Sequence, residues 1–358
     1  MYVFIDTNVF FGDWFTRSAT FRYLFHFLNN SNHVLLISRL VIQETENLWR
    51  REVSTAFGNA QKAIAAIDRV NGSTFVELRP QSDLITYDLL TLLLEKADNV
   101  TIVEYDGIPQ ATVVERALKH KRPFLENEKG YRDTLIWLSL IEHIRVNNIH
   151  DEVAFITENS NDFFELGVAT AFHSDLVSDL EDVKNTPVKP FASLPDFVNT
   201  AIDKNEHAID YSKAELLFEE YLLEEATVYL GSTTSKALES LQSHLFPGTS
   251  ILASLSGASA EVVEGIEDFY VASTNVMSRS EVYVVVVFDI RILEMVFYLP
   301  SRVYQKDAAS LDGYDIEDLG DTTAIRTWIR PRFTVSFSFN QNSSECSGFS
   351  VSEFKVIK

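Results

Sequence analysis

The chain predicts an α/β fold, a parallel sheet flanked by helices, followed by an α+β region with a mainly antiparallel sheet. Three observations carry this. Short runs near 2–6, 33–38, 99–105 and 152–157 are apolar on both faces, as strands in the middle of a parallel sheet are. Stretches with helical apolar spacing separate them, so the connections read as right-handed crossovers. Past Pro195 the alternation stops, and Val-, Tyr- and Phe-rich runs follow one another without helices between them.

Taken in order, the first strand ends at Asp6-Thr7-Asn8, and helices are expected near 20–29 and 39–69. The second strand runs into the latter helix through Ile37-Ser38-Arg39-Leu40-Val41. Further helices are expected near 83–97, 109–120, 132–147 and 174–182. Asn185 to Pro195 holds Pro187, Pro190 and Pro195 and reads as a boundary, giving domains 1–195 and 196–358. Beyond it come helices near 206–230 and 234–245. Strands follow near 250–256, 260–272, 281–299 (bent or split), 325–339 and 347–357. Alternation there predicts one exposed sheet face, and Lys306 to Thr323 reads as an acidic loop.

Four places along the first region set oxygen-bearing side chains at one edge of the sheet. Asp6 closes the first strand, where an open α/β sheet binds its ligands; an aspartate there also suits a helix cap or turn. Glu44 follows Val41 and Leu40 by three and four residues and precedes Leu48 by four. It therefore sits on the apolar stripe of its helix, unlike Glu46 and Glu52. Asp133 opens the helix Thr134–Ile141, a position that the helix dipole also favours. The last strand breaks into Thr157-Glu158-Asn159-Ser160-Asn161-Asp162. Such all-oxygen sets are what hard divalent cations such as Mg²⁺ and Mn²⁺ want.

The ordered set Asp6-Thr7-Asn8, Glu44, Asp133 and Thr157-x-Asn159 resembles the PIN-domain nucleases. The stretch from Lys121-Arg122-Pro123-Phe124 through Lys129-Gly130-Tyr131-Arg132-Asp133 resembles their larger bacterial PIN-like branch. The resemblance covers residues 1 to about 180. It implies a divalent-metal-dependent endonuclease that hydrolyses phosphodiester bonds, with RNA favoured as substrate, in a toxin, defence or RNA-processing setting. The catalytic set it implies is Asp6, Glu44, Asp133, Asn159 and Asp162, with Asp6, Glu44, Asp133 and Asp162 on Mg²⁺ or Mn²⁺. Thr7, Asn8 and Thr157 would orient these ligands. The family often has Asp where this chain has Asn159, which predicts a weaker second metal position, with Asp162 supplying the missing charge.

A formal charge of −22 works against phosphate binding, but exposed charges beyond a Debye length, about 8 Å, barely interact. Residues 1–195 carry 18 Lys+Arg against 27 Asp+Glu, a net of −9; the remainder carries 12 against 25, a net of −13. Within 116–132, Arg116, Lys119, Lys121, Arg122, Lys129 and Arg132 face only Glu126 and Glu128. Arg116, Lys121, Arg122, Lys129 and Arg132 are thus expected to bind nucleic acid; a solvated helix face is the plainer alternative.

A single cysteine, Cys346, excludes an internal disulfide and a thiolate zinc site. Met1 leads directly into a strand with no signal-type segment, and the apolar run Val282 to Leu299 is broken by Asp289, Arg291 and Glu294. A cytoplasmic protein without membrane association is therefore expected. The second region shows no recognisable chemistry; regulation, a protein partner or homodimerisation are its expected roles. The rival to a nuclease is a PIN-like scaffold that binds without catalysing. An Asp-nucleophile phosphatase would want Asp rather than Asn8, and an esterase would want Gly-x-Ser-x-Gly, which is absent.

Overall fold

The protein is described by a computed structural model covering residues 1–30, 33–72, 86–124, 129–165, 168–202, 209, 211–231, 245, 255–307, 311 and 314–357. It divides into two compact units: Met1–Arg17 with Phe21–Ile202, and Ser18–Thr20 with Asp203–Lys358.

The first unit is built on β1 (Tyr2–Ile5), β2 (Val34–Ser38), β3 (Val100–Val103), β4 (Val153–Ile156) and β7 (Val188–Phe191), in the order β3-β2-β1-β4-β7. All four pairings are parallel. Every residue of β4 is buried, as its unbroken apolar sequence requires. The chain runs outward from β1 through β2 to β3, then returns to place β4 on the other side of β1. That reversal is the crevice where open α/β sheets take ligands. The register Ile5↔Ile156 brings the ends of β1 and β4 level there.

Helices fill the crossovers: α1 (Ala19–Asn30), α2 (Arg39–Asn71), α3 (Leu89–Lys96), α4 (Gln110–Leu118), α5 (Tyr131–Val146), α6 (Ser160–Phe163), α7 (Ser174–Leu180) and α8 (Leu194–Ala201). A two-stranded ladder, β5 (Phe164–Glu165) with β6 (Val168–Phe172), lies between α6 and α7. Helix α2 begins at Ser38, whose hydroxyl accepts from Leu40 N at 3.2 Å, and stops at Gly72, whose φ of 72° a side chain would resist. Helix α5 is pinned to the sheet by Trp137, fully buried and edge-on to Phe155 at 5.5 Å; Phe155 stacks on Phe4. Truncating such a buried ring costs about 3–5 kcal/mol.

Of the three prolines read as a boundary, Pro190 lies inside the fifth strand, while Pro187 precedes it and Pro195 sits in the first turn of α8. Pro190 pairs with Phe155 on the outermost strand, where a missing N–H leaves no ladder bond unmade. The unit therefore runs past Pro195 to Ile202.

The second unit contains α9 (Tyr211–Gly231), β8 (Gly257–Val276), β9 (Glu281–Pro300), β10 (Asp315–Asp318), β11 (Thr322–Asn340) and β12 (Glu345–Ile357). Its sheet is antiparallel, ordered β10-β11-β9-β8, with β12 also paired to β11. Ala214, Phe218, Leu222, Ala226 and Leu230, each one helical turn apart, lay α9 on a core of Val284, Phe288, Phe333 and Phe337. The one-exposed-face expectation fails for Val282–Ile290, buried throughout, because that run is apolar on both faces up to Phe288. Asp289, also fully buried, accepts from Arg332 at 2.6 and 2.9 Å and from Arg330 at 3.1 Å, beside a register shift between Ile329 and Arg332. Part of the expected acidic loop forms β10. The helix near 234–245, apart from Leu245, and most of the strand near 250–256 lie outside the described residues. Among the described residues, no helix is long and apolar enough to cross a membrane.

Candidate active site

Asp6 leaves β1 as the cap of a short 3₁₀ turn, Thr7–Phe10, its Oδ1 accepting from Thr7 N at 2.7 Å. Capping and site-building are thus one role for this residue. Its Oδ2 accepts from the Thr157 hydroxyl at 2.7 Å, a bond across the two strands that flank the reversal point. Thr157 Oγ1 also accepts from Asn8 Nδ2 at 3.2 Å and from Asn159 N at 3.1 Å. Asn8 Oδ1 accepts in turn from Glu158 N at 3.0 Å, fastening the ends of β1 and β4 together.

Helix α2 delivers Glu44, one turn into the helix and 15 % exposed. Its Oε2 accepts from the Thr7 hydroxyl at 3.1 Å, and its Oε1 is held by the Arg132 guanidinium. The first turn of α5 supplies Asp133. Asn159 Nδ2 donates to Asp133 Oδ1 at 3.3 Å and to Asp162 Oδ2 at 2.6 Å, tying α5 to α6. Every residue of the predicted set, Asp6, Glu44, Asp133, Asn159 and Asp162, is thereby gathered at the crevice.

Electrostatics mark the cluster as crowded with negative charge. Burial and then the Asp133 carboxylate push Asp6 up to about 7, although hydrogen bonds from Thr157 and Thr7 pull the other way. Asp133 is also raised, first by burial, then by Asp162 and Glu44. Carboxylates held together out of water keep their protons unless a cation compensates them.

The basic segment divides. Arg116 is buried, and its guanidinium donates to Asp179 Oδ2 at 2.7 Å and to the Arg122 carbonyl; Lys121 Nζ reaches Asp179 Oδ1 at 2.7 Å. Both expected phosphate contacts are thus engaged by Asp179: Arg116 is out of water and needs a carboxylate, whereas Lys121 stays 31 % exposed. Burial alone would raise Asp179, but Arg116 and Lys121 win and hold its carboxyl below the usual range. Trp137 Nε1 completes the knot at 2.9 Å. Arg122 stays by the site, 3.9 Å from Asp162 and bonded to the Asn161 carbonyl, while Lys129 and Arg132 are exposed. Asp175, which accepts from Arg122 N at 2.9 Å, and Asp179 were missed. Their only trace in the sequence is two acids four apart on a short helix, and nothing local ties that helix to the basic segment.

Among the described residues, no three His, Cys, Asp or Glu side chains are disposed to hold a metal ion directly. Arg132 lies against Glu44 and the Asn159 amide lies between Asp133 and Asp162, so donors stand where a cation's charge would. The donor chemistry nevertheless fits a hard divalent ion: the ligands are all oxygens, and burial first, then mutual repulsion, raises the proton affinity of Asp6 and Asp133.

Residues 3–163 match the PIN-domain family model. That match spans all the residues of the cluster and ends where α6 does; the second unit has no family match. No curated protein and no solved structure matches the chain. The family that residues 3–163 match has a nuclease-type fold.

Proposed function

We propose that this PIN domain is an endoribonuclease, hydrolysing phosphodiester bonds with Mg²⁺ or Mn²⁺. One observation supports it above the others: the end of β1, α2, α5 and α6 each contribute a carboxylate to a single cluster at the sheet's reversal point. A structural role needs no such concentration, since clustered buried carboxylates destabilise a fold.

Asp6, Glu44, Asp133 and Asp162 would hold the cation. When bound, it would lower the pKa of a water so that hydroxide is available at neutral pH. The chain's own residues prepare that arrangement. The Thr157 hydroxyl and Thr7 N–H fix both oxygens of Asp6, so its carboxylate needs no reorientation. Thr7 holds Glu44 in the same way. Arg132, 61 % exposed on its ion pair, can exchange Glu44 for a substrate phosphate, which its planar fork suits. Arg122, 3.9 Å from Asp162, and the exposed Lys129, three residues before Arg132, would meet the same substrate strand.

The test is cleavage of labelled single-stranded and structured RNA and DNA with Mn²⁺, Mg²⁺ or chelator. Asp6→Asn and Asp133→Asn should each abolish it. Full activity in chelator, or in both variants, sinks the proposal. Asn159 favours a second reading, a scaffold that binds RNA without cutting, because its amide occupies two carboxylates; metal-independent binding without cleavage would establish that reading.

A further inference from the structure

Behind the helix start that carries Arg132 and Asp133 lies a cavity of about 380 Å³, lined by Val113, Val114, Leu118, His120, Phe124 and Tyr131 among others. Val113 and Phe124 form a buried floor, at 1 % and 3 % exposure. Val114, Leu118 and Tyr131 stand at its rim, 48, 78 and 52 % exposed. Large apolar side chains scattered over a surface need no explanation, but three around one cavity do. We propose that this cavity takes the unpaired base of a substrate nucleotide, stacked on Tyr131 with His120 beside it. The inference rests on the nuclease reading and adds how the substrate strand is gripped.

Three features point to a base rather than another occupant. The volume lies at the small end of ligand pockets, about 300–1,000 Å³, fitting one planar ring system. An exposed aromatic face is what single-stranded nucleic acid stacks on, and stacking tolerates any base. Lys119, Arg122, Lys129 and Arg132 flank the opening in sequence, and these cations match a strand's phosphates.

The cavity is also tied to the carboxylates. Gly130, at φ +106°, packs onto the Pro123–Phe124 backbone so closely that a Cβ there would lie 2.2 Å from the Pro123 oxygen. Phe124 is cavity floor, Tyr131 is cavity rim, and Asp133 follows two residues later. A base seated on Tyr131 would deliver its strand to the first turn of α5, at the edge of the cluster.

The test uses the full chain in chelator, so that binding is read without cleavage. An RNA oligomer carrying 2-aminopurine is compared with the same oligomer containing one abasic position, against wild type, Tyr131→Ala and Leu118→Glu. Leu118 is mostly exposed, so its variant guards against mere misfolding of the other, and melting curves accompany both. Stacking should change the 2-aminopurine fluorescence. Each variant should lose about five-fold or more in affinity for the intact oligomer and far less for the abasic one; in a separate assay with Mn²⁺, KM for cleavage should rise. If wild type binds and cuts but neither base removal nor either variant changes affinity, the cavity proposal is overturned and a protein side chain becomes its better occupant. If wild type neither binds nor cuts any oligomer, the nuclease reading falls and this proposal with it.

Discussion

Asp6 carries a pH signature of its own. Its carboxyl holds a proton up to about 7 in the folded chain against an ordinary value of 3.8. Between those values the folded state binds the extra proton, so Asp6 makes stability fall as pH rises through the window. The full span amounts to roughly 4 kcal/mol as a ceiling, at about 1.4 kcal/mol per unit. Asp6→Asn should therefore gain in melting temperature over wild type as pH goes from about 4 to 8, and Mn²⁺ should shrink the gap by stabilising the ionised form. Melts whose difference is independent of pH would refute this. Gly130 supplies a second residue-scale test. Gly130→Ala meets both a positive φ and the Pro123 backbone, so a loss of roughly 2–4 kcal/mol is expected in urea titrations. A loss below 1 kcal/mol would mean that the Pro123 segment yields freely.

Between elements, Asp179 on α7 gathers α4, the segment after it, and α5 through Arg116, Lys121 and Trp137. Breaking a buried pair from one side leaves an uncompensated charge, about 3–5 kcal/mol. Asp179→Ala should lower stability by about that much, and the salt slope of RNA binding should not change. Neutralising Lys129 and Arg132 together should do the reverse, flattening that slope by roughly 1.4 on single strands. Titrations at several salt concentrations separate the two; equal slopes in all variants would return Lys129 and Arg132 to plain surface charge. These same residues show where sequence reading stopped. Strand runs and carboxylates were legible because burial leaves an apolar period and because an Asp or Glu on an apolar stripe stands out. Whether a given Arg faces a phosphate or an internal acid depends on α7, far along the chain, and no local pattern encodes it. Pro190 hid its strand for a related reason: proline breaks an inner strand but suits an outermost one, and strand order is not local information.

For the whole molecule, every residue of the cluster lies in the first unit, whose net charge is less negative than that of the remainder. A fragment ending at Ile202 should therefore retain metal-dependent cleavage, measured against the full chain at equal concentration. A folded but inert fragment would place part of the machinery in the second unit. For that second unit we propose regulation or partner binding, homodimerisation included; light scattering of the full chain decides the dimer, which a monomeric mass at micromolar concentration removes.

The bond from Thr157 to Asp6 joins residues 151 positions apart, and this bears on synthesis. Asp6 and Glu44 can have left the ribosome while β4 is still being made. Until β4 docks beside β1, the hydroxyl that orients Asp6 is elsewhere, and contacts of such long separation form late in folding. If the proposed ribonuclease activity holds, a nascent chain would stay harmless to the RNA around it until its strand order is complete.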